Sequence, residues 1–211
     1  MSVIGTATVA CPNCGRQQDA RLVQSINART AAEVKAQLLA GDLNVLVCVA
    51  CGARTQLAAT VLFVDPDADY TAQVVPGDDP AVAHAIALMA AAGVMGTRRV
   101  VPSLNALVEK VKLLDAGLAD WAIEMTKVLL LATLADQDLD RVMLFDHVDR
   151  GAQRIHWVRF DGPGAPVPVA SPLAAYERLL GRPGVQPPRS EARIDRAWAV
   201  GAVQAMISNV N

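Results

Sequence analysis

Two short cysteine motifs of the same form constrain the fold of this chain more than any other feature. Residues 11–15 read CPNCG and residues 48–52 read CVACG, so each motif has two cysteines separated by two residues and followed by glycine. This spacing lets both sulfurs reach one metal ion, and glycine permits the left-handed turn that follows. Two such knuckles supply four thiolates, which complete a tetrahedron. We therefore predict one structural Zn2+ ion with the ligands Cys11, Cys14, Cys48 and Cys51.

Other chemistry for the four cysteines stays open at this level. They could form two redox-active dithiols, remain buried free thiols, or bind iron in a mononuclear or iron-sulfur site. Four thiolates around zinc leave no coordination position for water, which argues against a hydrolytic centre. Oxidation could still release the ion, because exposed thiolates are open to attack by oxidants.

The segment between the two knuckles predicts an inserted helix. The knuckles are separated by 33 residues, more than the roughly 15 to 20 of a simple zinc ribbon. Thr30 and Glu33 have the spacing of a capping box, and an apolar helical pattern follows up to Gly41. Short β-branched runs flank both cysteine pairs and predict strands. We therefore predict a zinc-ribbon-like β domain with an inserted helix over residues 1–70, with its boundary near Tyr70.

Residues 71–211 predict a second, mostly helical domain that carries one β-hairpin. Asp79 and Pro80 are typical of a helix start, and residues 149–151 (DRG) are typical of a hairpin turn. The predicted elements are helices over 81–96, 102–134 with a break near 115–117, 171–180 and 191–208, and strands over 141–145 and 155–160. The fold class of the whole chain is therefore α+β.

Two histidines lie on opposite arms of the predicted hairpin. With a loop over 150–153, His147 faces His156 and Phe145 faces Val158. A metal site or an acid-base pair would need a further ligand or partner, and none is evident in the sequence. Two ordinary surface histidines at the end of a hairpin are the favoured interpretation, and a site formed by this pair stays open.

The charge distribution argues against a nucleic-acid partner. The chain has 19 basic and 21 acidic residues, a net charge of −2, and residues 1–70 contain five basic and six acidic side chains. A zinc ion with four thiolates adds about −2 to the same region. Phosphate binding requires clustered lysine and arginine, with interleaved aromatic residues for single strands, and only 4% of the residues are aromatic. We therefore expect negligible affinity for DNA or RNA.

The sequence favours a cytoplasmic location without a membrane partner. Residues 1–10 have no basic segment of the kind that begins a signal peptide. The longest uncharged stretch, Ala81–Thr97, is rich in small residues and shorter than the ~20 strongly apolar residues that a bilayer requires. Paired cysteines in such a chain suit a reducing compartment and a metal better than a set of disulfides.

The cysteine motifs and their surroundings resemble the CpXC domain proteins of bacteria, a family named for paired Cys-Pro-x-Cys motifs. The resemblance covers about the first third of the chain and rests on 11–15 (CPNCG), 23–27 (VQSIN), 39–44 (LAGDLN) and 48–52 (CVACG). Val49 departs from the family pattern, which has proline there, so the second knuckle turn is less constrained than the first. The resemblance implies a bacterial protein with a zinc-bound four-cysteine core, and no particular reaction, because the family has no assigned activity.

The function class follows by elimination. The chain has no glycine-rich dinucleotide motif, no Walker sequence and no G-x-S-x-G motif, so we assign no catalytic or cofactor-binding residue and identify no small-molecule substrate. We expect a non-enzymatic, zinc-stabilised protein-interaction or assembly module in the bacterial cytoplasm. The alternatives are a nucleic-acid-associated regulator and an enzyme that uses the second domain.

A protein partner or a homo-oligomer is expected to form through the helices over 81–96 and 118–134. Residues 121–134 carry only Glu124 and Lys127 as charges and are apolar on nearly every face. Such a helix must be covered all round, and the alanine-rich neighbouring helix allows a close symmetric contact. The alternative is that this helix forms the centre of a bundle within one chain.

Overall fold

A computed structural model of the protein describes residues 3–162 and 164–208. The strands are β1 (Ile4–Ala10), β2 (Gln17–Val23), β3 (Ser25–Asn27), β4 (Val45–Val47), β5 (Arg54–Gln56), β6 (Val61–Asp65), β7 (Tyr70–Val74), β8 (Thr97–Val101), β9 (Val142–Asp149), β10 (Arg154–Phe160) and β11 (Val167–Pro172). The helices are α1 (Ala32–Leu39), α2 (Asp79–Ala91), α3 (Leu104–Asp115), α4 (Asp120–Ala132), α5 (Leu173–Leu180) and α6 (Arg196–Ser208). The chain divides into two compact units between Val108 and Glu109, within α3. The expected mixed α+β class is confirmed.

In the first unit, each cysteine pair lies in the turn of an antiparallel hairpin. The first hairpin pairs β1 with β2 from Ala10 and Gln17 outward, and the second pairs β4 with β5 from Val47 and Arg54 outward. The strands predicted on either side of both knuckles are therefore present. The inserted helix is also present as α1, but the predicted capping box is wrong. Its N-cap is Ala31, and no side chain accepts a hydrogen bond there.

A four-stranded sheet completes the strands of the first unit, in the order β3-β6-β7-β8. Strand β3 is parallel to β6, β7 is antiparallel to β6, and β8 is parallel to β7. Its buried side chains are Ile26, Val61, Phe63, Tyr70, Ala72, Val74, Arg99, Val100 and Val101. Neither β7 nor β8 was predicted. β7 (YTAQV) does alternate, with Tyr70, Ala72 and Val74 buried, but it has only five residues, and β8 (TRRVV) has no alternating pattern.

The domain boundary expected near Tyr70 falls at the first residue of β7, inside this sheet. Residues 66–69 form the turn between β6 and β7. The Asp65 side chain accepts the backbone N–H groups of Asp67 and Ala68, at 3.1 and 3.3 Å. Aspartate-rich sequences form such turns as readily as linkers, so composition alone does not separate the two.

The helix starts and lengths differ in detail from the sequence expectation. Helix α2 begins with Asp78 as its N-cap, whose side chain accepts the Ala81 N–H at 3.2 Å, and it ends at Ala91 rather than Gly96. The predicted break after Asp115 is confirmed by the separation of α3 from α4. The longest helices have 13 residues, and no helix in the described part of the chain could span a membrane.

The second unit contains a three-stranded antiparallel sheet, in the order β11-β10-β9, with α4, α5 and α6. The predicted hairpin is confirmed, and His147 is paired with His156 as expected. Beyond this pair, Phe145 opposes Trp157 rather than Val158, because the register shifts by one residue. The shift is a β-bulge, and a period-two pattern does not reveal an extra residue in one strand. Strand β11 was not predicted.

Helix α4 is covered within its own unit. Ten of its thirteen residues are buried, and its apolar side chains pack in one cluster with those of β9, β10, α5 and α6. Helix α4 therefore lies at the centre of a bundle within one chain, as in the alternative given above, and it does not need cover from a second chain. Self-association through another surface stays a prediction.

Five charged side chains lie inside the second unit, an arrangement that the sequence analysis did not foresee. Lys127 contacts Glu109 at 2.8 Å and Glu124 at 3.1 Å. Lys110 contacts Asp120 at 3.0 Å and Glu124 at 3.5 Å. Three carboxylates and two ammonium groups give this buried cluster a formal charge of −1. Removing such groups from water is costly, so each must keep its partners.

Backbone groups complete the hydrogen bonding of the buried cluster. The Lys110 ammonium donates to the carbonyl of Ile194 at 2.9 Å, and Glu109 accepts the backbone N–H of Phe145 at 2.5 Å. The cluster therefore links α3 to β9 and to the segment that precedes α6, in addition to its ion pairs.

Candidate metal centre

The two knuckles have the same backbone structure. In the first, the Cys11 N–H donates to the Arg16 carbonyl at 2.9 Å, and the Gly15 N–H donates to the Cys11 carbonyl at 2.8 Å. The second knuckle repeats both bonds at the same distances between the corresponding residues. Gly15 and Gly52 have φ angles of 74° and 70°. A Cβ would meet no neighbouring atom at either position, so glycine is favoured there by the backbone angle rather than by lack of space.

The four sulfur atoms converge on one point between the hairpins. The Sγ atoms of Cys11 and Cys51 are 3.7 Å apart, those of Cys14 and Cys48 are 3.6 Å apart, and all four lie within 4.8 Å of one another. A tetrahedron with metal–sulfur bonds of ~2.3 Å has sulfur–sulfur edges of about 3.8 Å. A disulfide would require about 2.05 Å. The predicted residues are therefore brought together, and they could hold one metal ion.

Hydrogen-bond donors around the second knuckle favour thiolates. The side-chain N–H of Asn13, 3.5 Å from the Cys51 sulfur, and the backbone N–H of Ala53 lower the pKa of Cys51 to about 6. The backbone N–H groups of Ala50 and Cys51 lower the pKa of Cys48. A negative sulfur accepts these bonds more strongly than a neutral thiol, which is why the charged form is favoured.

The Cys14 sulfur shows why the four cysteines could hold a cation. The backbone N–H of Arg16 favours the Cys14 thiolate, but the neighbouring thiols of Cys48 and Cys51 outweigh it and raise the pKa of Cys14 to about 12. Four like charges within 4.8 Å repel one another unless a cation lies between them. A divalent ion reverses this repulsion and deprotonates its thiol ligands.

Gln18 joins the two hairpins, and the sequence analysis missed it. Its side-chain amide donates to the Val47 carbonyl and accepts the Val49 N–H, both at 3.0 Å. The amide therefore bonds to the backbone on either side of Cys48, as a neighbouring strand would. A half-buried glutamine on a strand gives no signal in sequence that it makes such a bridge.

Asn44 makes a second link of this kind. It is 6% exposed, its φ angle is 54°, and its side chain both accepts the Val23 N–H at 2.7 Å and donates to the Val23 carbonyl at 3.0 Å. Asparagine tolerates a positive φ better than most residues. Asn44 thereby fixes the end of β2 beside the start of β4. In the sequence, the one indication of a role for this residue is its place in the segment 39–44 (LAGDLN), which contributes to the family resemblance.

The histidine pair does not belong to a comparable cluster. The imidazole rings of His147 and His156 are stacked, with centroids 4.3 Å apart and planes 5° from parallel. Nδ1 of His147 lies 2.9 Å from the Asp146 carboxylate. Among the described residues, the cysteine group is the one set of three or more histidine, cysteine or acidic side chains placed to hold a metal. The two histidines face each other as predicted, without a third ligand.

Comparison with known proteins places the chain in a family without adding a reaction. Residues 9–127, more than half of the chain, match the family described as CpXC protein, and this range contains all four cysteines. No curated protein and no solved structure matches the chain with significance. The matched range also includes the five buried charged residues of the second unit. By the extent of this match, the chain belongs to the CpXC protein family.

Proposed function

We propose that Cys11, Cys14, Cys48 and Cys51 bind one Zn2+ ion in a structural, zinc-ribbon-like site. The observation that carries the proposal is the convergence of four sulfurs at separations of 3.6 and 3.7 Å, near the edge length of a zinc–thiolate tetrahedron. An all-sulfur ligand set from two knuckles is typical of structural zinc. Because four thiolates fill the coordination shell, the ion serves the fold and not a hydrolytic reaction.

We further propose that the protein is a non-enzymatic protein-interaction or assembly module of the bacterial cytoplasm. The second knuckle supports this function, because it presents apolar side chains to solvent. Val49 is 79% exposed at the tip of the knuckle, and Val47 is 49% exposed on the strand before it. A metal-fixed turn holds such side chains in place, so binding a partner costs little conformational entropy. The partner is another protein or a second copy of the chain.

Metal analysis tests the zinc site. We expect one zinc per chain in protein purified without added metal, because four thiolates bind this ion tightly at neutral pH. Elemental analysis by mass spectrometry measures the stoichiometry. Protein without zinc, or protein that contains iron and absorbs visible light, would overturn the proposed site.

A variant of the knuckle tip tests the interaction function. Val49→Asp should abolish capture of the partner from a lysate of the source bacterium and leave zinc content unchanged, since a charge at the centre of an apolar contact is costly. Val142→Asp is the matched control, because Val142 is 52% exposed at the start of β9 and lies outside the knuckles and outside the helices expected to form a contact. Light scattering distinguishes a second copy from another protein by a mass above the 22.2 kDa of one chain. Equal capture by both variants would contradict the proposal.

A further inference from the structure

The second unit has a surface cavity of about 330 Å3 between α4, α5 and α6. Its walls are mainly apolar, and they include Leu129, Leu130, Leu179 and Met206. The volume lies within the range of about 300 to 1,000 Å3 that small-molecule sites occupy. A second cavity of about 310 Å3 shares Arg182 and Met206 with the first, so there is further room beside it. Neither cavity involves the cysteine cluster.

Two arginines line the first cavity without partners. Arg178 lies in the last turn of α5 and Arg182 follows that helix, and both are exposed. Within the described part of the chain, neither guanidinium makes a hydrogen bond or ion pair, and the described lining contains no carboxylate. Elsewhere in this unit arginines such as Arg159 pair with aspartate. Two unpaired guanidinium groups beside an apolar surface are an arrangement that suits an anion with an apolar body.

The hydroxyl groups of the two threonines in the lining already donate hydrogen bonds to the backbone. The Thr126 hydroxyl donates to the Ala122 carbonyl at 2.7 Å, and the Thr133 hydroxyl donates to the Leu130 carbonyl at 2.6 Å. Both threonines therefore turn their donors back to their own helix. The side-chain donors left for an occupant are those of Arg178 and Arg182, which call for an acceptor with negative charge.

We propose that this cavity binds an amphiphile with a single oxyanion head group. The alkyl body lies against the leucines and Met206, and the head group, a carboxylate or a phosphate monoester, pairs with Arg178 and Arg182. Each buried methylene contributes about 0.8 kcal/mol, so the apolar body supplies affinity. The planar guanidinium groups supply selectivity for the oxyanion, since they can donate two parallel hydrogen bonds to it.

Isothermal titration of the full chain tests the site. The ligands are decanoate and decyl phosphate, each below its micelle concentration, and decanol below its solubility limit. We expect one molecule of decanoate or decyl phosphate to bind per chain, and the anion that binds more tightly identifies the preferred head group. Replacing both arginines, Arg178→Gln with Arg182→Gln, should weaken binding of the anion at least tenfold and leave the affinity for decanol unchanged. Arg150→Gln with Arg154→Gln removes the same charge from exposed positions outside the cavity and should have no effect.

A third variant tests the apolar part of the site. Ala175→Phe, at a half-buried position of the lining, should fill the cavity and abolish binding of all three compounds. The two arginine substitutions are at exposed positions and require no repacking of the core. If Ala175→Phe fails to fold, the arginine variants still test the proposed site. The proposal is overturned if neither anion binds or if decanol binds as tightly as the anions. It is also overturned if the double variant at 178 and 182 binds the anions as tightly as the double variant at 150 and 154.

Discussion

Cys48→Ala is expected to release the metal and to unfold the two hairpins that carry the knuckles. Cys48 is 2% exposed. The hairpins have little core of their own, since β1 and β5 have no buried residue, β2 has only Ala20 and β4 has only Leu46. An isolated two-stranded hairpin is at best marginally stable. Zinc binding by such sites provides on the order of 10 kcal/mol, which is therefore most of the local folding free energy. Hydrogen exchange should show loss of amide protection in β1, β2, β4 and β5.

The four-stranded sheet of the same unit should keep its protection in this variant. Phe63 and Ala72 are fully buried in that sheet, so it has an apolar core that the metal does not supply. Val49→Ala is the matched control, because it changes an exposed neighbour of the ligand and should keep both zinc and protection. A chelator added to the native protein should reproduce the Cys48→Ala pattern. Retained protection in β4 and β5 without zinc would show that the metal is dispensable.

Lys127→Met is expected to destabilise the second unit by about 3–5 kcal/mol, measured by urea unfolding. Its side chain is 3% exposed and contacts the carboxylates of Glu109 and Glu124. Methionine fills a similar volume, so the loss comes from two buried carboxylates left without their shared cation. The free energy is large because a buried charge without a partner keeps its full desolvation cost.

Lys112→Met provides the comparison for a partly exposed lysine. The Lys112 side chain is 35% exposed and lies 3.9 Å from Asp146, so its loss should cost less than about 1 kcal/mol. If both lysine variants unfold at the same urea concentration, the buried cluster does not stabilise the unit.

The cost of Lys127→Met should shrink in acid. Burial opposes ionisation of Glu124, but the charges of Lys127 and Lys110 outweigh it and hold its pKa below the ordinary 4.5. A carboxyl group with a lowered folded-state pKa stabilises the fold above its unfolded pKa, and this contribution is lost as the pH falls through the folded value. Without Lys127, one cation fewer opposes the effect of burial on Glu124, so protonation in acid removes charge that has lost a partner. Urea unfolding at pH 7 and pH 4 measures the difference.

At basic pH the contribution of the buried cluster to stability depends on Lys127, and it is lost as the pH rises. Burial disfavours the Lys127 ammonium, but Glu109 and Glu124 outweigh it and raise the pKa of Lys127 above 10.5. Its contribution to stability is complete below 10.5 and is lost as the pH rises through the raised value. The native cluster therefore stabilises the unit across the neutral range and weakens only at the two extremes.

Local patterns in the sequence determined the features that depend on residues close together in the chain. Two CxxCG motifs specified both knuckles and their four cysteines, because the turn needs only two intervening residues and a glycine. The hairpin that pairs His147 with His156 followed from a four-residue loop between two apolar runs. The break between α3 and α4 followed from the glycine after Ala116.

Only the tertiary structure decided the features that depend on distant partners. Strands β7 and β8 form a sheet with β3 and β6, and they have no pattern of their own that requires this pairing. Glu124 and Lys127 are polar in sequence, yet they are buried because Lys110 and Glu109 of α3 pair with them. Arg178 and Arg182 become a candidate binding pair only where α4 and α6 place apolar walls beside them. Each of these outcomes results from contacts between segments far apart in sequence, which local propensity does not encode.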